Sequence, residues 1–489
     1  MAETALGGAD DAAGIAAEPQ RVPLVVDVDG SLIAGDTLIE AMLRLIAADP
    51  VNLVRAVVWL VRGRARLKAE VAARMGFAEG DLVFHEAVVA AIRDAQAAGR
   101  PVYLASGGAR RHVAAIGAEI GGLTDIYTAG EGSNMTGRAK ADRLVAAFGA
   151  GGFDYIGNEA RDLAVWRRAR RAIAVGAGAG LRRRVRALDG HAVFLDVGER
   201  VPKAYLRAIR PHQWLKNILV FLPLIAAHLA TGPAISAAAA TFLALSLTAS
   251  GTYVANDLLD LPDDRKHPSK RNRPLASGAV PLQHGLMMAP ALVLAGLAVA
   301  AAVGLPVLGM VAGYLALTGA YTLVLKRRMF IDVVTLATLY TLRVLAGGVA
   351  VGVALSPWFL AFSMFLFLML AIVKRYQELH GLKTAETGKA SGRNYHVADL
   401  PVLAALGGAS GFAAVLVLAL YLNTPAVDER YTRPEALWLL CPLLVYWTGR
   451  VMMLTNRGYV DDDPIIFAVR DRPSLGVGAL CVGVFLVAL

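Results

Sequence analysis

The sequence predicts two folds in series: an α/β domain on a parallel sheet, then an all-α domain of about nine membrane-crossing helices. Three observations carry this. Up to about Arg210 the charges are scattered and short β-rich runs alternate with helical patterns, as in a parallel sheet with covering helices. Beyond it come repeated apolar runs long enough to cross a bilayer. Lys and Arg crowd into alternate loops between those runs.

The 489 residues are 56% hydrophobic, an average over two unlike halves. The net charge of +10 sits largely in loops between apolar runs. That pattern argues for cytoplasmic loops and a site for anionic substrates, and against a nucleic-acid partner. Cys441 and Cys481 both lie inside apolar runs, which excludes a disulfide framework or a zinc site. The start, MAETALGGADDAAG, is acidic and lacks the basic end and apolar core of a signal peptide. Residues 1–18 are expected to be disordered, and the α/β domain to stay in the cytosol.

That domain is expected over 19–190. VPLVVDVDGSL (22–32) reads as a buried strand closed by Asp27 and Asp29, followed by Gly30. Further β-rich runs follow at 101–106, 125–129, 153–157 and 172–176. In such a sheet the active-site loops lie at the carboxyl edge. Ser106 closes the second run, Lys140 sits at a helix start in GRAKADRL, and the fourth run ends in GNEARD with Asn158 and Asp162. Two carboxylates, a hydroxyl, a lysine and further oxygen ligands can bind Mg²⁺ and a phosphoryl group.

In that order DVDGSL, Ser106, Lys140 and GNEARD resemble the haloacid dehalogenase (HAD) superfamily, whose domain is Rossmann-like with a cap. The resemblance implies that Asp27 forms an aspartyl-phosphate and Asp29 is the general acid/base. It implies that Ser106 and Lys140 hold the phosphoryl group, and that Asp27, the Asp29 carbonyl, and Asn158 or Asp162 serve Mg²⁺. Residues from about 36 to 98 would be an inserted helical cap. Its Arg62, Arg64, Arg66 and Lys68 are open to two readings, a solvated face or a contact to an anionic substrate or lipid headgroups. Asn158 stands where such phosphatases carry Asp; its neutral oxygen binds Mg²⁺ more weakly. Active and inactive domains both remain open.

Residues 191–213 read as a linker with an interfacial helix, where Lys203, Arg207, Arg210 and His212 interleave with Tyr205, Leu206 and Ile209. Anchoring explains Lys203 and Arg207; Gln213, Lys216 and Asn217 lie near the membrane entry. The membrane domain is expected over 214–489, with apolar runs centred on 218–231, 235–255, 285–304, 306–325, 331–353, 357–376, 401–422, 436–455 and 475–489. The loops after the first, third and fifth runs carry no Lys or Arg. The alternate ones hold Arg265–Arg273, Lys326–Arg328, Lys374–Arg393 and Arg457–Arg472, which puts these on the cytosolic side.

One such loop, NDLLDLPDDRKHPSKRNRPLASG (256–278), spaces Asn256, Asp260 and Asp264 four apart with Asp257 beside them. On a helix these share a face. Clustered carboxylates at a membrane mouth need a cation, and Mg²⁺ carrying a diphosphate is the natural partner. Lys270, Arg271 and Arg273 would grip the remaining phosphate oxygens. Asp332 and Arg343 lie eleven apart in the fifth run, about three turns and hence on one face. A structural ion pair and a cavity lining are both open readings of them. In the sixth run KRYQEL carries Lys374, Arg375 and Glu378.

Asn256, Asp257, Asp260 and Asp264 satisfy NDxxDxxxD, and the segment from about 205 onward resembles the UbiA superfamily of membrane prenyltransferases. Aromatic prenyltransferases of that family usually carry a second DxxxD after the sixth span. Here that loop has Glu378 and Glu386 but no aspartate pair, while Lys374, Arg375, Lys383, Lys389 and Arg393 dominate. PHQWLKN, DDRKHPSKRNRP, LRVLAGGVA and KRYQEL resemble the branch that moves phosphoribose onto decaprenyl phosphate. The resemblance implies a donor phosphoribosyl diphosphate and an acceptor polyprenyl phosphate. Mg²⁺ would sit on Asn256, Asp257, Asp260 and Asp264, with Asp257 and Asp260 serving catalysis. Lys216, Asn217, Lys270, Arg271, Arg273, Arg343, Lys374 and Arg375 would orient the anions. Two alternatives stand: prenyl transfer from a prenyl diphosphate to a 4-hydroxybenzoate-like aromatic acceptor, and a non-catalytic lipid-binding scaffold. Oligomeric state is not legible.

Overall fold

The computed structural model describes residues 22–129, 135–196, 202–384, 394–460 and 463–489. The expected disorder of 1–18, and Glu386, Lys389 and Arg393 of the basic loop, lie outside those residues, as does the side chain of Lys383. The chain forms two compact units. One comprises the first 201 residues with 261–272 and 276–282, the other 202–260, 273–275 and 283–489.

The first unit grows from LVVD, β1 (Leu24–Asp27), buried along its whole length. A strand covered on both faces reads as a continuous apolar run. β2 (Val102–Ser106), β3 (Asp125–Thr128), β4 (Asp154–Gly157), β5 (Arg171–Val175) and β6 (Val193–Leu195) complete a sheet of order β3-β2-β1-β4-β5-β6. Every pairing is parallel, with Leu24 opposite both Val102 and Asp154. Strand order reverses at β1, so the crevice between the ends of β1 and β4 is where such sheets bind ligands. β6 falls inside the stretch read as a linker; three residues are too few for a periodic signal.

Leu24 and Val26 point to one core with Val88, Ile92 and Ile116, and Val25 to the other with Leu144, Phe153 and Trp166. Beyond β1, helices Thr37–Ala48, Val51–Val61 and Arg64–Arg74 pack mainly on one another through Ala41, Leu45, Ala56, Trp59, Leu67 and Val71. The next helix, Glu86–Ala97, instead buries Val88, Ile92 and Ala95 under the sheet.

Within the same unit, Arg265 spans both oxygens of Glu40 at 2.9 and 2.8 Å and donates to the Asp81 carbonyl at 2.7 Å. The Glu40 side chain is 1% exposed and that of Arg265 7%, so neither charge has water to fall back on.

Among the described residues of the second unit seven helices are long and apolar enough to cross a membrane: Gly232–Leu259, Leu282–Val303, Leu305–Leu323, Ile331–Val351, Pro357–Gly381, Val397–Leu422 and Pro434–Asn456. An eighth crossing arises if Pro464–Arg470 and Arg472–Ala488, bent by 80°, count as one. The protein is therefore a multi-pass membrane protein. The expected first span differs in kind: Pro211–Phe221 is a 3₁₀ helix, continued by the short α-helix Leu222–Ala226. A 3₁₀ helix rises about 2 Å per residue, so few residues reach far, and its buried Lys216 and Asn217 escape a search for apolar α-helices. Gly347 admits this segment: a side chain there would begin 2.0 Å from the Val220 carbonyl.

Removing one partner of a buried ion pair strands the other. Glu40→Ala is expected to lower stability by about 3–5 kcal/mol, read as a lower melting temperature of the detergent-solubilised protein, with Glu40→Gln intermediate.

Candidate functional sites

In the first unit the carboxyl edge gathers the sequence-predicted residues. Asp27 ends β1 and Ser106 ends β2, while Lys140 lies in the first turn of Gly137–Phe148. Lys140 Nζ donates to Asp27 Oδ1 at 2.5 Å, the Ala105 carbonyl at 3.1 Å and the Tyr155 hydroxyl at 3.0 Å. Burial would discharge this amine, but the Asp27 charge beside it holds it protonated and raises its pKa. Ser31 donates to the second Asp27 oxygen at 2.9 Å and lies 3.3 Å from Asn158 Oδ1. Gly30 (φ 74°) turns the chain here, and a Cβ on it would lie 2.2 Å from the Asn158 amide nitrogen.

Asp29 takes a different environment. It accepts from the Thr37 amide at 2.7 Å and from the Ser106 hydroxyl at 3.1 Å. Burial, with the Asp36 charge adding to it, pushes its carboxyl above the ordinary range. Burial raises the Asp27 carboxyl too, against the opposing pull of Lys140, so what separates the two acids is their partners: a lysine for Asp27, a backbone amide and a hydroxyl for Asp29. Asp29, Asp36, Thr37, Lys68, Gly108 and His112 line a small cleft.

Asp162 accepts from the Asn158 and Glu159 amides on Oδ2, 3.0 Å each, and from Tyr155 on Oδ1 at 3.0 Å. Burial, then the Asp27 charge, raises it to about 6. With both oxygens engaged, Asp162 ties the β4 loop, and Asn158 Oδ1 is the better-placed metal oxygen.

In the second unit the motif acids close the Gly232–Leu259 helix. Asp257 receives Arg210 on both oxygens at 2.5 and 2.7 Å, and Arg273 at 3.2 Å. Asn256 donates to Asp260 at 2.7 Å, and Lys326 stands 3.3 Å from the other Asp260 oxygen. Among the described residues no three His, Cys, Asp or Glu side chains converge as a metal centre. The donors are hard oxygens nonetheless, and Mg²⁺ is commonly held by one or two carboxylates plus substrate phosphates, so Asp257, Asp260 and the Asn256 oxygen fit it. Asp264, buried, and Lys270 and Arg271, exposed, belong to the first unit.

A second polar group surrounds the 3₁₀ segment. Arg343 donates to Asn217 Oδ1 at 2.7 Å, the Leu339 carbonyl at 2.6 Å and the Tyr314 hydroxyl at 3.1 Å. Asn217 donates on to Ser246 at 2.9 Å. Lys216 pairs with Asp463 and donates to Gln213 at 2.6 Å. Burial would raise the Asp463 carboxyl, but Lys216 and then Lys374 hold it below the usual range.

Two expectations change. Asp332 and Arg343 are not an ion pair: eleven residues of helix separate them by about 16 Å along the axis. Asp332 is instead bound by Arg375 at 2.6 Å and by the Tyr395 hydroxyl at 2.6 Å. Arg375, expected to orient an anion, has a fully buried side chain and also pairs with Glu378, so it is committed to structure. Arg210, Lys326 and Asp463 were missed, because each reaches its partner from a distant segment with no local spacing to betray it.

Residues 218–468 match the family model described as the UbiA prenyltransferase family. Over 96% of its length the chain is 32% identical to "Uncharacterized protein y4nM" of Sinorhizobium fredii, covering 92% of that protein. Over 183 residues, 36% of this chain and 60% of the relative, it is 40% identical to decaprenyl-phosphate phosphoribosyltransferase of Mycobacterium tuberculosis. A solved UbiA homolog from Archaeoglobus fulgidus, bound to GPP and Mg²⁺, aligns with 17% identity and a TM-score of 0.45, over 58% of this chain and 99% of that one.

Two measurements check these assignments. Arg375→Met leaves the buried Asp332 without its cation and is expected to cost about 3–5 kcal/mol of stability, with KM of any surviving activity unchanged. For Asp162 the folded-state pKa near 6 lies above the unfolded 3.8, so its contribution is present at low pH and lost as pH rises between those values. The melting temperature of the wild type should therefore fall across that window relative to Asp162→Asn, by the equivalent of roughly 2–3 kcal/mol.

Proposed function

The chain belongs to the UbiA prenyltransferase family, and from that premise we propose that its membrane domain moves 5-phosphoribose from phosphoribosyl diphosphate to a polyprenyl phosphate. The observation that carries this is the 40% identity to decaprenyl-phosphate phosphoribosyltransferase. The cationic setting supports it: Arg210, Arg273 and Lys326 surround Asp257 and Asp260, and Lys216 and Lys374 share Asp463. Cations in that number suit two anionic substrates better than a neutral aromatic ring.

In the reaction a lipid phosphate oxygen bonds to the anomeric carbon, whose bond to diphosphate breaks, the electron pair leaving with the diphosphate. The attacking phosphate is already an anion, so no general base is needed. Mg²⁺ on Asp257, Asp260 and the Asn256 oxygen would supply charge neutralisation for the diphosphate. Arg210 and Arg273 hold the acids until a diphosphate draws them away, then grip its oxygens. Lys216 and Lys374 orient the anions. In this reading the protein lies in the cytoplasmic membrane with the α/β domain in the cytosol, and the Lys/Arg bias of alternate loops supports that orientation.

The α/β domain then removes the 5-phosphate. Asp27 attacks phosphorus, Asp29 gives its proton to the departing ribose oxygen, Ser106 and Lys140 hold the phosphoryl group, and water hydrolyses the aspartyl-phosphate. The Asn158 oxygen would help hold Mg²⁺, which would neutralise charge on the phosphoryl group.

Purified protein given labelled phosphoribosyl diphosphate and polyprenyl phosphate should form a labelled lipid, and Asp260→Ala should reduce kcat on the order of 10²–10³-fold. Turnover only with a prenyl diphosphate plus 4-hydroxybenzoate would overturn the choice of substrates. Asp27→Asn should accumulate the lipid still bearing its 5-phosphate; the same product from wild type and variant would sink the second step.

A further inference from the structure

The helix Val51–Val61 in the first unit is inverted relative to an ordinary surface helix. Its inward face, Asn52, Ala56 and Trp59, follows helical spacing and is buried. The outward face carries Val51, Leu53, Val54, Val57, Val58, Leu60 and Val61, each between 44% and 83% exposed. A contiguous apolar face of that kind marks an interaction surface. Its margin is basic: Arg55, Arg62, Arg64 and Arg66 are all exposed, Arg55 lying 3.8 Å from Asp49 and Arg66 pairing with Glu70. An apolar face rimmed by arginines matches a layer of hydrocarbon under anionic headgroups. The chain itself crosses a membrane several times, so covalent continuity keeps a bilayer within reach of this domain.

We propose that Val51–Val61 is a membrane-docking helix, seated in the headgroup–acyl boundary of an anionic leaflet by its Val/Leu face, with the arginines on lipid phosphates. Gly63 (φ 117°) turns the chain from this helix into Arg64–Arg74, one turn along which Lys68 donates to the Gly107 carbonyl at 3.1 Å and lines the Asp29 cleft. The docked helix therefore holds the entrance of that cleft at the lipid surface, where an amphiphilic phosphate ester is presented head first. The docking rests on the helix alone and stands whether or not the transfer reaction proposed above is correct.

Nitroxide labels report it. Full-length protein carrying Cys441→Ser and Cys481→Ser, with Val54→Cys, Val57→Cys or Val61→Cys, is placed in phosphatidylethanolamine–phosphatidylglycerol vesicles. Docking predicts labels that collide readily with oxygen and are shielded from a water-soluble nickel chelate. Ready collision with nickel means the face meets water, and shielding from both reagents means that protein covers it; either overturns the proposal. Val61, the most exposed of the set, tolerates the label if Val57 does not. Arg55→Glu with Arg62→Glu should raise nickel collision several-fold at residue 61, and an unchanged ratio removes the arginines from the interaction.

Discussion

Charge taken out of water has to be matched at once by opposite charge or by hydrogen bonds, and that constraint organises both units of this protein. Buried or half-buried acids meet a cation at five places: Asp27 with Lys140, Glu40 with Arg265, Asp257 with Arg210, Asp332 with Arg375 and Asp463 with Lys216. The backbone elements are arranged so that these meetings occur. β1 ends where Asp27 reaches Lys140, and the 3₁₀ helix delivers Lys216 and Asn217 together, one to Asp463 and the next to Arg343.

The same chemistry serves two purposes, and exposure separates them. Asp332 and Arg375 are sealed at 0%, with the Tyr395 hydroxyl on the other Asp332 oxygen, so nothing soluble can exchange with either. Asp260 and Lys326 remain 31% and 20% exposed and lie 3.3 Å apart, an open contact that an incoming anion or cation can rearrange. Asp257 sits between these limits: its carboxylate is buried, but Arg210 beside it is one-fifth exposed. Two partly exposed guanidiniums, Arg210 and Arg273, thus neutralise a carboxylate that is itself out of water.

Much of this was legible in the sequence. Four-residue strands buried on both faces announce themselves as unbroken apolar runs, and catalytic residues at strand ends follow from the sheet. The regular acids of 256–264 carry their chemistry in their spacing. What stayed hidden was long-range pairing: nothing local joins Arg210 to Asp257 or Asp463 to Lys216. The spacing of Asp332 and Arg343 misled for a related reason, because residues three turns apart share a face without sharing a contact. The 3₁₀ geometry of 211–221 was hidden too, as periodicity near 3.6 is what sequence patterns detect.

Asn158 bears on how the two centres came to differ. In the α/β crevice three acids, Asp27, Asp29 and Asp162, already share a buried space with one lysine. A fourth carboxylate at 158 would raise their mutual repulsion and push Asp162 further from ionisation. Asn158 offers an oxygen at that place with no added charge, and its backbone amide helps satisfy Asp162. In the membrane unit the balance runs the other way, with several cations gathered around few acids.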